Sequence, residues 1–205
     1  MNVSLTGASK RFSREWIFRE VNLNLVSGKK YAITGHNGSG KSTLLQVIAS
    51  YLLLSKGEIS YTIEGQKINE DEVFKHLTLT APYLDLPDEL TLNEFIHFHF
   101  SFKRIKPGLL ISDLPELWQL ADATNKRIKD FSTGMRQRMK LGISLFSDCP
   151  LVLLDEPATN LDENGLDWYL KAVKQMEANQ LLLICSNRPE EYSFCDTILD
   201  MASFK

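Results

Sequence analysis

No apolar run in this sequence approaches the roughly 20 residues needed to span a bilayer. The longest, Leu151–Leu154 and Leu181–Cys185, are short enough to be single buried strands. The chain itself is therefore not expected to cross a membrane. Its amino terminus, MNVSLTGASKRF, is polar where a secretory leader would carry an apolar core, which points to the cytosol. Cysteine is scarce: Cys149, Cys185 and Cys195 are odd in number and lack metal-type spacing, so free thiols in or near a core are expected. There is no block of basic residues and the net charge is −3, which argues against nucleic acid as the main ligand. Repeats, low-complexity tracts and long linkers are also missing. What remains, 205 residues at 43% hydrophobic and 24% charged, is too apolar and too evenly charged for disorder, and is expected to form one compact unit.

The pattern along the chain is strand-rich at first. Residues 19–26 alternate Val21, Leu23 and Leu25 with polar neighbours, and Tyr31–Thr34 reads as a second short strand. A glycine-rich stretch, 35–40, precedes Ser42–Leu53, whose apolar positions fit a helix facing a core. Residues 58–63 alternate again, and Glu64-Gly65 before Gln66–Ile68 predicts a hairpin. Further on, Thr91 and Glu94 have capping-box spacing and open a helical run through Phe95, Ile96, Phe98 and Phe102, with further helical stretches near Leu114–Ala121 and Met135–Phe146. The last third returns to alternation: strand Leu151–Leu154, helix Glu163–Met176, strand Leu181–Cys185. Strands without polar alternation belong to parallel sheets buried on both faces. The expected fold is α/β: a mainly parallel core sheet, an N-terminal antiparallel β subdomain and an inserted helical subdomain. Residues 1–87 and 149–205 would form the core and 88–148 the insertion, within one domain spanning 1–205.

Gly35-His36-Asn37-Gly38-Ser39-Gly40-Lys41-Ser42 matches G-x-x-x-x-G-K-[ST] in full, between a predicted strand and a predicted helix. Glycines let the backbone curl around phosphate oxygens with successive N–H groups aimed inward, and the helix adds its positive amino-terminal dipole. Lys41 would neutralise β- and γ-phosphate charge, and the Ser42 hydroxyl would ligate Mg²⁺. Downstream, the strand Leu151–Leu154 carries Asp155 to its end, where it can hold a Mg²⁺ water; Glu156 follows, placed to act as general base on an attacking water. Between them stands Phe131-Ser132-Thr133-Gly134-Met135-Arg136-Gln137-Arg138. Its serine and glycine at a helix start would form a second anion cradle. One nucleotide needs one cradle per chain, so the second makes sense if it serves a nucleotide held by another subunit. The alternative is an ordinary capped helix with a basic face.

The ordered set GHNGSGKST at 35–43, FSTGMRQR at 131–138, LVLLDEP at 151–157 and TNLD at 159–162 resembles the ATP-binding cassette (ABC) ATPases of ABC transporters, over nearly the whole chain. The resemblance implies ATP and Mg²⁺ as ligands and a P-loop NTPase core. It also implies two cassettes packed head to tail, a homodimer by default, with separate integral membrane subunits holding the chain at the inner face of the cell membrane. It makes Phe12 the aromatic that stacks on adenine, with Trp16 as the second candidate, and adds Thr43 to the phosphate loop. Ser132, Thr133 and Gly134 would touch the partner's nucleotide, and Asp162 would lie at the dimer seam. The STGMRQR form of the signature is most similar to exporters. A soluble ABC ATPase, or a weakly hydrolysing regulatory subunit, is the alternative.

Two family features are missing. Where a glutamine usually contacts Mg²⁺ or the attacking water, the chain reads Leu79-Thr80-Ala81-Pro82-Tyr83. Where a histidine usually meets the γ-phosphate, it reads Ser186-Asn187-Arg188. Asn187 can donate a neutral hydrogen bond but carries no charge, so slow hydrolysis is expected, with Arg188 as a nearby source of charge. The aromatic run Phe95–Phe102 would serve as core or as part of a groove for a membrane subunit; its His97 and His99, two residues apart on a helix, are poorly spaced for a metal.

Overall fold

The computed structural model describes residues 1–205. Strands β1 (Asn2–Phe12) and β2 (Glu15–Leu25) form an antiparallel pair, followed by β3 (Lys30–Thr34) and helix α1 (Lys41–Ile48). Next come β4 (Lys56–Ile63), β5 (Gln66–Ile68) and β6 (Leu77–Thr80). The chain then runs through α2 (Leu92–Phe102), α3 (Leu114–Leu117) and α4 (Thr133–Phe146). It returns through β7 (Leu151–Asp155), α5 (Glu163–Lys174), β8 (Leu181–Cys185), α6 (Pro189–Tyr192) and β9 (Thr197–Asp200). One sheet is antiparallel, in the order β2-β1-β4-β5; the other runs β6-β7-β8-β3-β9 with every neighbouring pair parallel.

The parallel sheet separates two cores, and its central strands supply both. Leu151 and Leu153 of β7 and Leu181, Leu183 and Cys185 of β8 face a cluster shared with α1 and the antiparallel sheet. Val152, Leu154, Leu182 and Ile184 face a second cluster built with Trp118, Met139, Leu145, Trp168 and Tyr169. Both faces are thus apolar although side chains still alternate, which is why these strands read as unbroken hydrophobic runs. Each such side chain contributes roughly 1.5–3 kcal/mol on full burial. Parallel pairing puts the carboxyl ends of β3, β7 and β8 side by side: Ile33 pairs with Cys185, and Cys185 with Asp155. Crevices outside these ends are where open α/β sheets bind ligands.

Several local expectations need correction. The helix expected over 42–53 stops at Ile48, because Ser50 turns left-handed (φ 57°) and the N–H groups of Tyr51 and Leu52 both bond back to Gln46 O. The helix expected over 114–121 is a single turn, Leu114–Leu117, closed by Gln119 at φ 58°. Strands β1, β6 and β9 were not anticipated. β1 hides its period behind bulges between Leu5 and Ala8, around Gly7 at φ 56°, although Val3 and Leu5 already alternate. The hairpin at Glu64-Gly65 (φ 52° and 81°) and the Thr91–Glu94 capping box form as expected.

Candidate functional site

The loop 35–40 leaves β3 and ends in α1, whose cap, Gly40, sits at φ 104° and carries no capping side chain. Its first-turn N–H groups have no capping side chain and are left free to receive an anion. A Cβ on Gly40 would collide with Ile17 of β2, so only glycine lets β2 approach the loop this closely. Lys41 is buried, and its Nζ donates to Gly35 O (2.7 Å) and His36 O (3.3 Å), which holds the ammonium inside the loop it would serve. His36 Nδ1 lies 2.9 Å from Asn37 O. Asn37, Gly38, Gly40, Lys41, Ser42, Thr43, Ile17 and Glu156 line one cleft of about 230 Å³. Ile17 is the member that sequence inspection missed, since its only signal is its place in an alternating strand.

β7 delivers Asp155 beside Ser42 and Lys41 of this cleft. The carboxylate is almost wholly buried, and its Oδ1 has no hydrogen-bond partner. Burial pushes Asp155 above the ordinary carboxylate range; the Ser42 hydroxyl and the Lys41 ammonium oppose this, and Glu156 adds to it. An orphaned buried carboxylate oxygen beside a serine hydroxyl is a donor set suited to a hard divalent cation, so the residues present fit Mg²⁺. Glu156 follows in a left-handed conformation (φ 47°), pinned by its N–H to Cys185 O at 2.8 Å, with Thr159 Oγ1 donating to its carboxylate at 3.4 Å. Strain of this kind in a non-glycine residue costs roughly 1–3 kcal/mol and aims the side chain into the cleft. From the end of β8, Asn187 Nδ2 donates to Asn37 Oδ1 at 2.9 Å. The residue standing where a histidine was expected therefore touches the phosphate loop directly, while Arg188 turns away to Glu190 (2.9 Å).

The stretch without a glutamine passes the same site. Thr80 pairs with Leu154, which sets Ala81 level with Asp155. Lys140 of α4 donates to Ala81 O (3.3 Å) and Pro82 O (3.4 Å), tying this stretch to the helix. Burial pushes the Tyr83 phenol up to about 12, against the pull of the Gln46 side chain, and Asp155 is among the charges raising it. Tyr83 and Gln46 are further polar groups beside the cleft that sequence inspection did not single out.

Ser132 caps α4, its hydroxyl accepting from Met135 N at 3.2 Å. With Gly134, Arg138, Asn160 and Asp162 it lines a separate hollow of about 310 Å³. Thr133 begins the helix behind it, and Asp162 caps α5 through Gly165 N (2.8 Å) while pairing with Arg138 (3.2 Å). Gln137, buried in α4, donates to Pro157 O at 2.6 Å and so joins this second hollow to the loop that follows Glu156. The structure therefore brings Gly35–Thr43, Asp155, Glu156 and Asn187 together, and places Ser132, Gly134 and Asp162 at a second site in the same chain. Phe12 joins neither: it ends β1, 47% exposed, with the Lys10 ammonium 5.0 Å over its ring. Trp16 lies outside the phosphate cleft as well.

A family model described as ABC transporter matches residues 18–159. The chain belongs to this family. As an ABC ATPase domain it falls in a class that binds and hydrolyses ATP. It is similar to the ABC transporter ATP-binding protein NatA of Bacillus subtilis, 29% identical over 96% of this chain and 84% of the relative. It is also similar to the maltose/maltodextrin import ATP-binding protein MalK of Yersinia pestis, 32% identical over 78% of this chain but only 44% of that longer protein. Among solved structures, a dimeric bacterial ABC transporter cassette superposes with a TM-score of 0.80 at 22% identity, covering 97% of this chain and 94% of the other. No helix of the ABC ATPase chain is long and apolar enough to cross a membrane.

Proposed function

We propose that this chain is the ATP-hydrolysing subunit of an exporter whose membrane-spanning subunits are separate polypeptides. The observation that carries the reading is the cleft at the ends of β3, β7 and β8 that Lys41, Ser42 and Glu156 line, with Asp155 buried beside Ser42 and Asn187 bonded to Asn37 of the same loop. Lys41 and the free N–H groups of α1 bind the β- and γ-phosphates. Ser42 and Asp155 would hold Mg²⁺, which when bound neutralises phosphate charge. Glu156 accepts a proton from the attacking water, and Asn187 donates a hydrogen bond toward the γ-phosphate. Phe12, exposed at the end of β1 and outside the phosphate cleft, is the side chain offered to the adenine. Because Asn187 is neutral and no carboxamide follows β6, turnover is slow.

The second hollow supports pairing with another cassette. Ser132, Thr133 and Gly134 sit at an open helix start remote from this chain's own phosphate loop, as expected of a surface that completes a partner's nucleotide site, and Asp162 borders it. A similar cassette of known structure is a dimer. Residues 88–148 form the subdomain that bears this surface. Its Phe98 and Phe102 are 55% and 75% exposed, and Lys103 Nζ bonds the carbonyls of Phe74, itself 62% exposed, and Leu77 in the core segment leading into β6, tying the two together. This apolar patch suits a helix from a membrane subunit.

Steady-state phosphate release by the purified chain tests the reading. Glu156→Gln is expected to abolish turnover while ATP binding persists, and equal rates for the two proteins would refute the catalytic role. A cysteine pair at Ser132 and the exposed His36 of the phosphate loop is expected to crosslink two chains in the presence of ATP. Phe98→Ala is expected to fold normally but to lose the membrane subunit on purification.

A further inference from the structure

Trp16 takes no part in the nucleotide cleft. Ile17 of β2 faces the phosphate loop, whereas its neighbour Trp16 lines a different hollow. That hollow, about 500 Å³, is lined by Trp16 with Ser9, Arg19, Glu20, Asn22 and Lys56, and Arg11 lies against the same indole. Three cations converge on its indole: the guanidinium carbons of Arg11 and Arg19 at 5.5 Å from the ring centroid, and Lys56 Nζ at 5.7 Å. None of the three belongs to an ion pair; every salt bridge in the molecule lies elsewhere. In a chain of net charge −3, the segment 10–20 together with Lys56 holds Lys10, Arg11, Arg14, Arg19 and Lys56 against only Glu15 and Glu20. Cation–π contact offsets part of this repulsion, at about 0.5–1 kcal/mol each for exposed pairs, but neutralises none of it.

We infer that this hollow is a binding site for a compact anion bearing phosphate groups. The Arg19 fork can take two phosphate oxygens, Lys56 adds a point charge, Arg11 beside the indole reinforces a positive field that outweighs the single Glu20 carboxylate, and Trp16 supplies a flat apolar wall. The cations surround one ring instead of forming a stripe, so they match a single phosphorylated group better than a nucleic-acid backbone, which the remaining acidic surface also repels. The site shares no lining residue with the phosphate cleft, so its occupancy is independent of nucleotide at Lys41. The phosphate chemistry is the same whether it arrives free or on a lipid headgroup.

The three tryptophans make the test direct. Trp118 and Trp168 are buried, at 0% and 7%, so iodide quenching of fluorescence reports Trp16. Inorganic tripolyphosphate is expected to protect Trp16 from iodide equally in the native chain and in Lys41→Ala. Arg19→Glu with Lys56→Glu is expected to weaken that protection at least about tenfold, as loss of charge-assisted contacts requires, while ATP hydrolysis stays at the native rate. Sedimentation with phosphatidylcholine vesicles, with and without phosphatidylinositol 4-phosphate, separates the sources: capture by the phosphorylated vesicles alone identifies a headgroup, and protection by tripolyphosphate without capture identifies a free phosphate compound. The inference is overturned if neither probe acts on the native chain, if Lys41→Ala abolishes protection, if the double variant keeps it, or if a poly-glutamate peptide protects where tripolyphosphate does not.

Discussion

Gly142 lies inside α4, the helix that Ser132 caps, and replacing it with alanine sets two effects against each other. Helix propensity alone favours the change by about 1 kcal/mol. The structure opposes it: a Cβ at this position would fall 2.7 Å from Trp118 Cγ, with two more indole atoms closer still. Trp118 is fully buried between α4 and the helices before it, so the ring has nowhere to go and α4 must shift instead. Overpacking of this kind costs about 1–3 kcal/mol, and contact with three atoms of a rigid ring puts it at the upper end. The net expectation for Gly142→Ala is a loss of about 2 kcal/mol, or roughly 4–8 °C in melting temperature for a chain of this size. Urea denaturation of the native chain, Gly142→Ala, Trp118→Phe and the double variant closes a cycle, and a smaller ring should recover at least about 1 kcal/mol of the loss. A Gly142→Ala variant as stable as the native chain or more so, or purely additive losses, would refute the argument.

Other perturbations probe the charge balance. Burial, and then the nearby Lys103, lower His99 to about 4, with its Nε2 against Ser147 Oγ at 3.2 Å. The unfolded chain therefore binds the extra proton first, and stability falls as pH drops from 6.5 toward 4. Urea midpoints at pH 7 and 4.5 should differ by about 2–3 kcal/mol less in His99→Phe than in the native chain. Glu191 is fully buried, with neither carboxylate oxygen hydrogen-bonded, and burial raises it despite Ser186 and Arg188. A raised folded value means stability that is present at low pH and lost as pH rises through it, so Glu191→Gln should stabilise the chain by about 1 kcal/mol at pH 8 and not at pH 4. Asn187→His should raise kcat about fivefold, the effect of roughly 1 kcal/mol from a charged donor replacing a neutral one; phosphate release at saturating ATP measures it, and an unchanged rate would show that Asn187 does not limit turnover.

Much of this protein was readable in one dimension, and the reason is local. The phosphate loop, the acidic pair after Leu154 and the Thr91–Glu94 cap are contiguous motifs whose chemistry depends on neighbouring residues, and the apolar runs of β7 and β8 announce strands buried on both faces. Helix ends were less legible, because Ser50 and Gln119 stop helices by adopting left-handed conformations that no pattern of hydrophobicity records. Only the tertiary structure decided what distant segments meet. The order β7-β8-β3 sets Asp155, Asn187 and the phosphate loop around one cleft, and Lys140 ties down the stretch where a glutamine is absent. The same folding turned Trp16 away from the nucleotide and gathered Arg11, Arg19 and Lys56 around it. Sequence therefore determined the chemistry that adjacent residues share. Strand order and facing determined the chemistry of residues far apart, because both depend on which surfaces the whole chain can bury at once.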